Sequence, residues 1–222
     1  MSSHPISQSN SASVPLKFPR LASLFMAFAW AVIAGSVGLN ALIKSNQQQS
    51  AVRKILPAGA TLDVNDDDVF HSGIVITTVS ALIAVLSSIY ILILLSAISS
   101  VRNTSASSPT RLTRLSNRIL PFESISLGFC ALWLFATQIP FTHFFATRSA
   151  SVRAFVNGVP IPPAFVQTVQ NQLGFKTIYR QIGYLRLVAI LPWFTILFTA
   201  IASAVSFVAS RRRPSVTHVE KI

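Results

Sequence analysis

The sequence predicts an all-α membrane protein, a left-handed bundle of four transmembrane helices with short cytoplasmic termini. Two observations carry this. Leu21–Ile43, Val69–Val101, Ser124–Thr147 and Leu187–Ser210 contain no Asp, Glu, Lys or Arg, and each is at least 23 residues long. At about 1.5 Å per residue, each crosses a hydrocarbon core of roughly 30 Å. Charged residues make up 11% of the 222 residues, against about 25% in soluble domains. Little of the chain is left for a separate soluble domain.

The layout divides into a Ser- and Pro-rich segment 1–20, read as a disordered cytoplasmic N-terminus, a transmembrane domain 21–210, and a basic cytoplasmic tail 211–222. The spans fall at about 21–43, 73–101, 119–147 and 187–210. The first run is longer than the apolar core of a signal peptide and has about twenty residues before it, so it reads as a retained span.

Three spans carry small residues at alternating steps of four and three. They are Ala27, Ala31, Ala34, Gly38 and Ala41 in the first, Thr77, Ala81, Ala84 and Ser88 in the second, and Thr195, Thr199, Ala202, Ser206 and Ala209 in the fourth. Small side chains let backbones approach closely in lipid, and a 3.5-residue repeat favours left-handed supercoiling. The third span is aromatic instead, with Phe129, Trp133, Phe135, Phe141, Phe144 and Phe145. Trp30, Trp133 and Trp193 are expected to pack against lipid or neighbouring helices.

Orientation follows from loop charge. The segment 102–118 holds Arg102, Arg111, Arg114 and Arg118 without an acid, and the tail opens with Arg211, Arg212 and Arg213. The loop 44–68 sets Asp63, Asp66, Asp67 and Asp68 against Lys44, Arg53 and Lys54. The positive-inside rule then puts both termini and the middle loop in the cytoplasm, although loop 148–186 is also basic. The sequon Asn103-Thr104-Ser105 falls on the cytoplasmic side and is expected to stay unmodified. In the second outer loop, Asn157-Gly158 predicts a tight hairpin. From Pro163, Val166, Val169 and Leu173 share one face of a short amphipathic helix.

The net charge of +12 sits at span ends and in loops. That distribution suits anionic lipid at the cytoplasmic face, with Arg211, Arg212 and Arg213 as contacts, rather than nucleic acid. Arg212-Arg213-Pro214-Ser215 resembles a basophilic kinase site, so phosphate on Ser215 would oppose that attraction. The single cysteine, Cys130, lies inside a span and excludes an internal disulfide.

Candidate chemistry is sparse. Glu123 is the intramembrane acid, and Pro121 reads as the first residue of its helix. On that reading the carboxylate meets the positive end of the helix dipole, with Arg118 nearby. Gln138 and Asn40 both lie toward the outer leaflet and are expected to hydrogen-bond to each other. His143 and His71 stand near the outer ends of their spans, too shallow for a haem pair. The run Asp63–Asp68 lacks the glycine and the terminal glutamate of an EF-hand loop. No phosphate-binding loop, nucleophile elbow, zinc helix motif or redox cysteine pair is present. The reading is therefore non-enzymatic, with no catalytic residue, cofactor or metal.

Span count and layout, carried by residues 21–43, 73–101, 119–147 and 187–210, resemble MARVEL-type four-pass membrane proteins. Tetraspanins and claudins staple their outer loops with cysteine pairs that this chain lacks, and the fungal four-pass cortical proteins related to claudins differ in the same way. The MARVEL resemblance implies a protein that organises membrane domains, traffic or a membrane complex through helix and lipid contacts. The alternative is a small oligomeric transporter or channel subunit lined by Glu123, Gln138, Asn40 and His143.

Overall fold

A computed structural model of the chain describes residues 16–55, 60–65, 67–103, 111–147, 151–156, 159–160 and 182–212. Four long helices dominate: α1 (Lys17–Ile55), α2 (Asp67–Asn103), α3 (Arg111–Thr147) and α4 (Gly183–Arg211). Each is long and apolar enough to span a membrane. In lipid a helix satisfies its own backbone, which is why apolar runs of this length have one stable form. The predicted amphipathic helix beyond Pro163, Arg213 and Ser215 lie outside the described residues.

The helices run up and down, and each packs on its chain neighbours, with α4 closing the ring against α1. This places α1 and α3 on one diagonal, and α2 and α4 on the other. One end of the bundle carries the start of α1 and the end of α4, hereafter the terminal end. The other carries a small antiparallel sheet of β1 (Ala60–Asn65), β2 (Ser151–Val156) and β3 (Val159–Pro160), in the order β1-β2-β3. The hairpin predicted at Asn157-Gly158 is present as paired flanks, with Val156 opposite Val159. The pairing of β1 with β2 was not foreseen. It ties the two long loops together and sets Asp63 opposite Arg153.

The buried stripes keep the predicted repeat. Along α1 it runs Arg20, Leu24, Ala27, Ala31, Ala34, Gly38, Ala41, and along α4 Val188, Pro192, Thr195, Thr199, Ala202, Ser206, Ala209. These contain the expected small residues of spans one and four. In α2 the stripe is rotated by one residue, to Ile76, Ser80, Ile83, Ser87, Tyr90, Leu94 and Ala97. The predicted seam therefore lies beside the core, and Ala81 faces outward. Larger side chains take the inward positions because small ones on α1 leave them room. In α3 the stripe is Ser116, Leu120, Glu123, Leu127, Cys130, Leu134, Gln138 and Phe141. It takes two successive steps of four before Gln138, beside Pro140, a stutter that locally relaxes the repeat.

Helix boundaries differ from expectation at two places. α1 begins at Lys17, so Lys17–Arg20 belong to the bundle and not to a disordered tail. α3 begins at Arg111, so Pro121 lies inside it and Glu123 is far from the positive end of its dipole. Proline removes only one backbone bond, and the ten helical residues before it carry the helix through.

Close approach is concentrated between α1 and α2. A methyl group built on Gly38 would overlap the Thr77 hydroxyl. Gly38→Ala is expected to cost about 1–3 kcal/mol by overpacking, and Thr77→Ala in the same background is expected to restore most of it. Unfolding in mixed micelles, followed by circular dichroism, reads both.

Candidate functional site

The site lies at the terminal end, where one charged residue from α1 meets one from α3 across the diagonal. Arg20 and Glu123 form a buried ion pair, with side chains 1% and 0% exposed. The Arg20 Nε–H donates to Glu123 Oε1 at 3.0 Å, and Nη2 pairs with Oε2. This side-on fork fits the planar guanidinium to the planar carboxylate and uses charge on both partners. The Ser206 hydroxyl on α4 donates to Oε1 at 2.6 Å. The carboxylate is thus held by two helices besides its own. The Ser23 hydroxyl caps the Arg20 carbonyl at 3.0 Å.

α2 joins through the backbone. Ser126 Oγ–H donates to the Glu123 carbonyl at 3.1 Å, so the 2.7 Å contact between Tyr90 and Ser126 has the tyrosine as donor. Ser124 and Ser203 exchange hydroxyl bonds to each other's backbone carbonyls at 3.0 and 2.8 Å. A β-carbon at Gly128 would lie 2.9 Å from the Ser203 hydroxyl, so only glycine admits this crossing without displacement. One polar network therefore touches all four helices.

Toward the sheet end a second polar clamp joins α3 to α4. Pro192 has no backbone N–H, which leaves the Val188 carbonyl without its helical donor. Gln138 Nε2–H reaches that carbonyl at 3.3 Å and the Ala189 carbonyl at 2.8 Å. α1 and α4 are tied nearby by the Thr195 hydroxyl on the Trp30 carbonyl at 3.0 Å, with Trp30 stacked on Phe194.

The candidate residues do not gather in one place. Asn40 faces outward and Gln138 is committed to α4, so the expected pairing between them is not formed. A proline-freed carbonyl inside the bundle is a stronger acceptor site than an amide facing outward. His143 and His71 are outward too, each edge-on to its neighbouring Phe144 or Phe70. Among the described residues no group of three or more His, Cys, Asp or Glu converges on a metal position. Arg118 is exposed and is not the partner of Glu123; that partner is Arg20. Arg211 and Arg212 are exposed at the terminal end, with Arg211 4.5 Å above the Phe207 ring. Trp133 and Trp193 are partly outward, whereas Trp30 is half-buried.

Arg20 is the member of this buried cluster that the sequence reading does not single out. Its signal was present, since Arg20, Leu24, Ala27 and Ala31 continue the step of four and three to the edge of the span. Comparison with protein-family models, curated proteins and solved structures finds no match.

Removing one partner strands a buried charge. Arg20→Leu or Glu123→Leu alone is expected to cost about 3–5 kcal/mol, and the double variant much less than their sum. A double-mutant cycle on unfolding free energy reads this coupling. Gln138→Leu is expected to cost about 0.6–1.7 kcal/mol, and Asn40→Leu close to nothing, in the same assay.

Proposed function

We propose that the protein organises membrane domains, traffic or a membrane complex through helix and lipid contacts, without catalysing a reaction. The supporting observation is where the polar groups go. Glu123 and Gln138 are spent on neighbouring helices, and Asn40 and His143 face outward. Glu123 and Gln138 are also 15 residues apart on α3, a rise of about 22 Å. A shared polar lining would need them together. The outward faces offer large apolar side chains instead, among them Phe122, Ile125, Phe129 and Leu132 on α3.

The cytoplasmic placement of both termini rests on the positive-inside rule. On that placement Lys17, Arg118, Arg211 and Arg212, from three helices at the terminal end, meet the anionic leaflet. The MARVEL-like layout supports the same reading. The intramembrane pair of Arg20 and Glu123 favours a second reading, a small oligomeric transporter or channel subunit, because intramembrane charges often mark transport paths.

Purification in lipid-preserving nanodiscs, followed by mass spectrometry of co-purifying species, separates the two. The organiser reading expects a specific partner protein or enriched anionic lipid, with lipid enrichment reduced in Arg211→Gln/Arg212→Gln. A partner-free homo-oligomer whose ion flux is lost in Glu123→Gln would overturn it.

A further inference from the structure

We infer that the bundle is two equivalent helical hairpins docked about a pseudo-two-fold axis, and that opposite charges on that axis select the partner. Each hairpin docks on the unlike hairpin of its own chain and is kept from the like hairpin of a second copy. The first hairpin is α1–β1–α2 and the second is α3–β2–β3–α4.

The equivalence holds residue by residue. Arg20 and Glu123, 103 positions apart, meet across the diagonal. At the same separation Leu24 matches Leu127 and Ala27 matches Cys130, all four buried, and Trp30 matches Trp133. Ser23 matches Ser126, and each hydroxyl donates to the carbonyl three residues back, that of Arg20 at 3.0 Å and that of Glu123 at 3.1 Å. The inward stripes of α2 and α4 coincide from Ile76 and Val188 to Ala97 and Ala209. At the far end each loop supplies one strand to the antiparallel β1–β2 pair. A two-fold along the bundle carries its rung Asp63–Arg153 onto the neighbouring rung Leu62–Ala154.

Charge breaks this equivalence. Between hairpins of matching shape, apolar packing in lipid distinguishes like from unlike docking poorly. Docking of two first hairpins would set Arg20 against its own copy, and docking of two second hairpins would do the same with Glu123. Either is a buried pair of like charges, which repels the wrong partner. The loops are complementary in the same sense. Segment 44–68 holds Asp63, Asp66, Asp67 and Asp68 against three bases, whereas segment 148–186 is basic and contains no acid. Asp63 and Arg153 stand opposite in register. The basic segment 148–186, which runs against the charge pattern that orients the chain, thus meets its counter-charges in the other hairpin.

Charge exchange in the full-length chain tests the inference. Arg20→Glu and Glu123→Arg alone are each expected to lower the yield of folded protein in mild detergent by about tenfold or more. Both together in one chain are expected to recover most of that yield. Leu94 is the counterpart of Ser206 on the matched stripes, so adding Leu94→Ser/Ser206→Leu moves the hydroxyl with the carboxylate and is expected to raise recovery further. Co-expression of the two single variants under different tags is expected to rescue both as a heterodimer, whereas co-expression of either with a second copy of itself rescues neither. This arm serves even where each single variant fails to fold alone. Single variants at wild-type yield, an exchange no better than the single variants, or an absence of rescue in the mixed pair would each overturn the inference. Flux, partner proteins and lipid enrichment do not enter the readout, so its failure is separate from failure of the proposed function.

Discussion

Helices already in lipid gain little from exchanging lipid contacts for leucine contacts, so this bundle depends on close backbone approach and on polar contacts between helices. The Arg20–Glu123 pair is the strongest of these. A guanidinium and a carboxylate in a low-dielectric interior are each costly alone, and together they offset that cost only with good geometry and further hydrogen bonds. The fork geometry and the Ser206 hydroxyl meet both conditions. Because the pair crosses the diagonal, it fixes two helices that otherwise hardly meet. The rotation of α1 about its axis, and with it the facing of every residue on its stripe, is set by Arg20 reaching Glu123.

Lesser contacts build outward from that point. The reciprocal Ser124–Ser203 bonds fix the depth of α4 against α3, and Gly128 admits them. Gly38 against Thr77 fixes α1 against α2 at the other end. Pro192 opens a gap in the α4 backbone, and Gln138 fills it, so a local defect becomes a contact between helices. Polar residues placed this way hold register, which apolar packing in lipid specifies poorly. The paired strands then join the two loops at the far end, so the α1–α2 and α3–α4 hairpins are connected at both ends of the bundle.

Much of the architecture was legible in the sequence. The spans follow from charge-free length. The faces of α1 and α4 follow from small residues at a 3.5-residue repeat, and the β2–β3 hairpin follows from Asn157-Gly158 flanked by strand-forming residues. The face of α2 was misread by one residue because its inward positions hold Ile, Tyr and Leu as well as Ser. Composition alone does not reveal which stripe faces inward when lipid and core are equally apolar. Pro121 was misread as a helix start because a proline that begins a helix and one that interrupts it look alike without the ten residues of helix upstream.

The sequence by itself determined that the chain has four apolar helices of membrane-spanning length, a lone buried-type cysteine and one intramembrane acid. These follow from local composition and from the impossibility of leaving backbone polar groups bare in lipid. Which residues partner one another was decided only by the tertiary structure. Glu123 meets Arg20, 103 positions away, and Gln138 meets Val188 and Ala189 rather than Asn40. Those pairings depend on the relative depth and rotation of separate helices, and no local pattern encodes either.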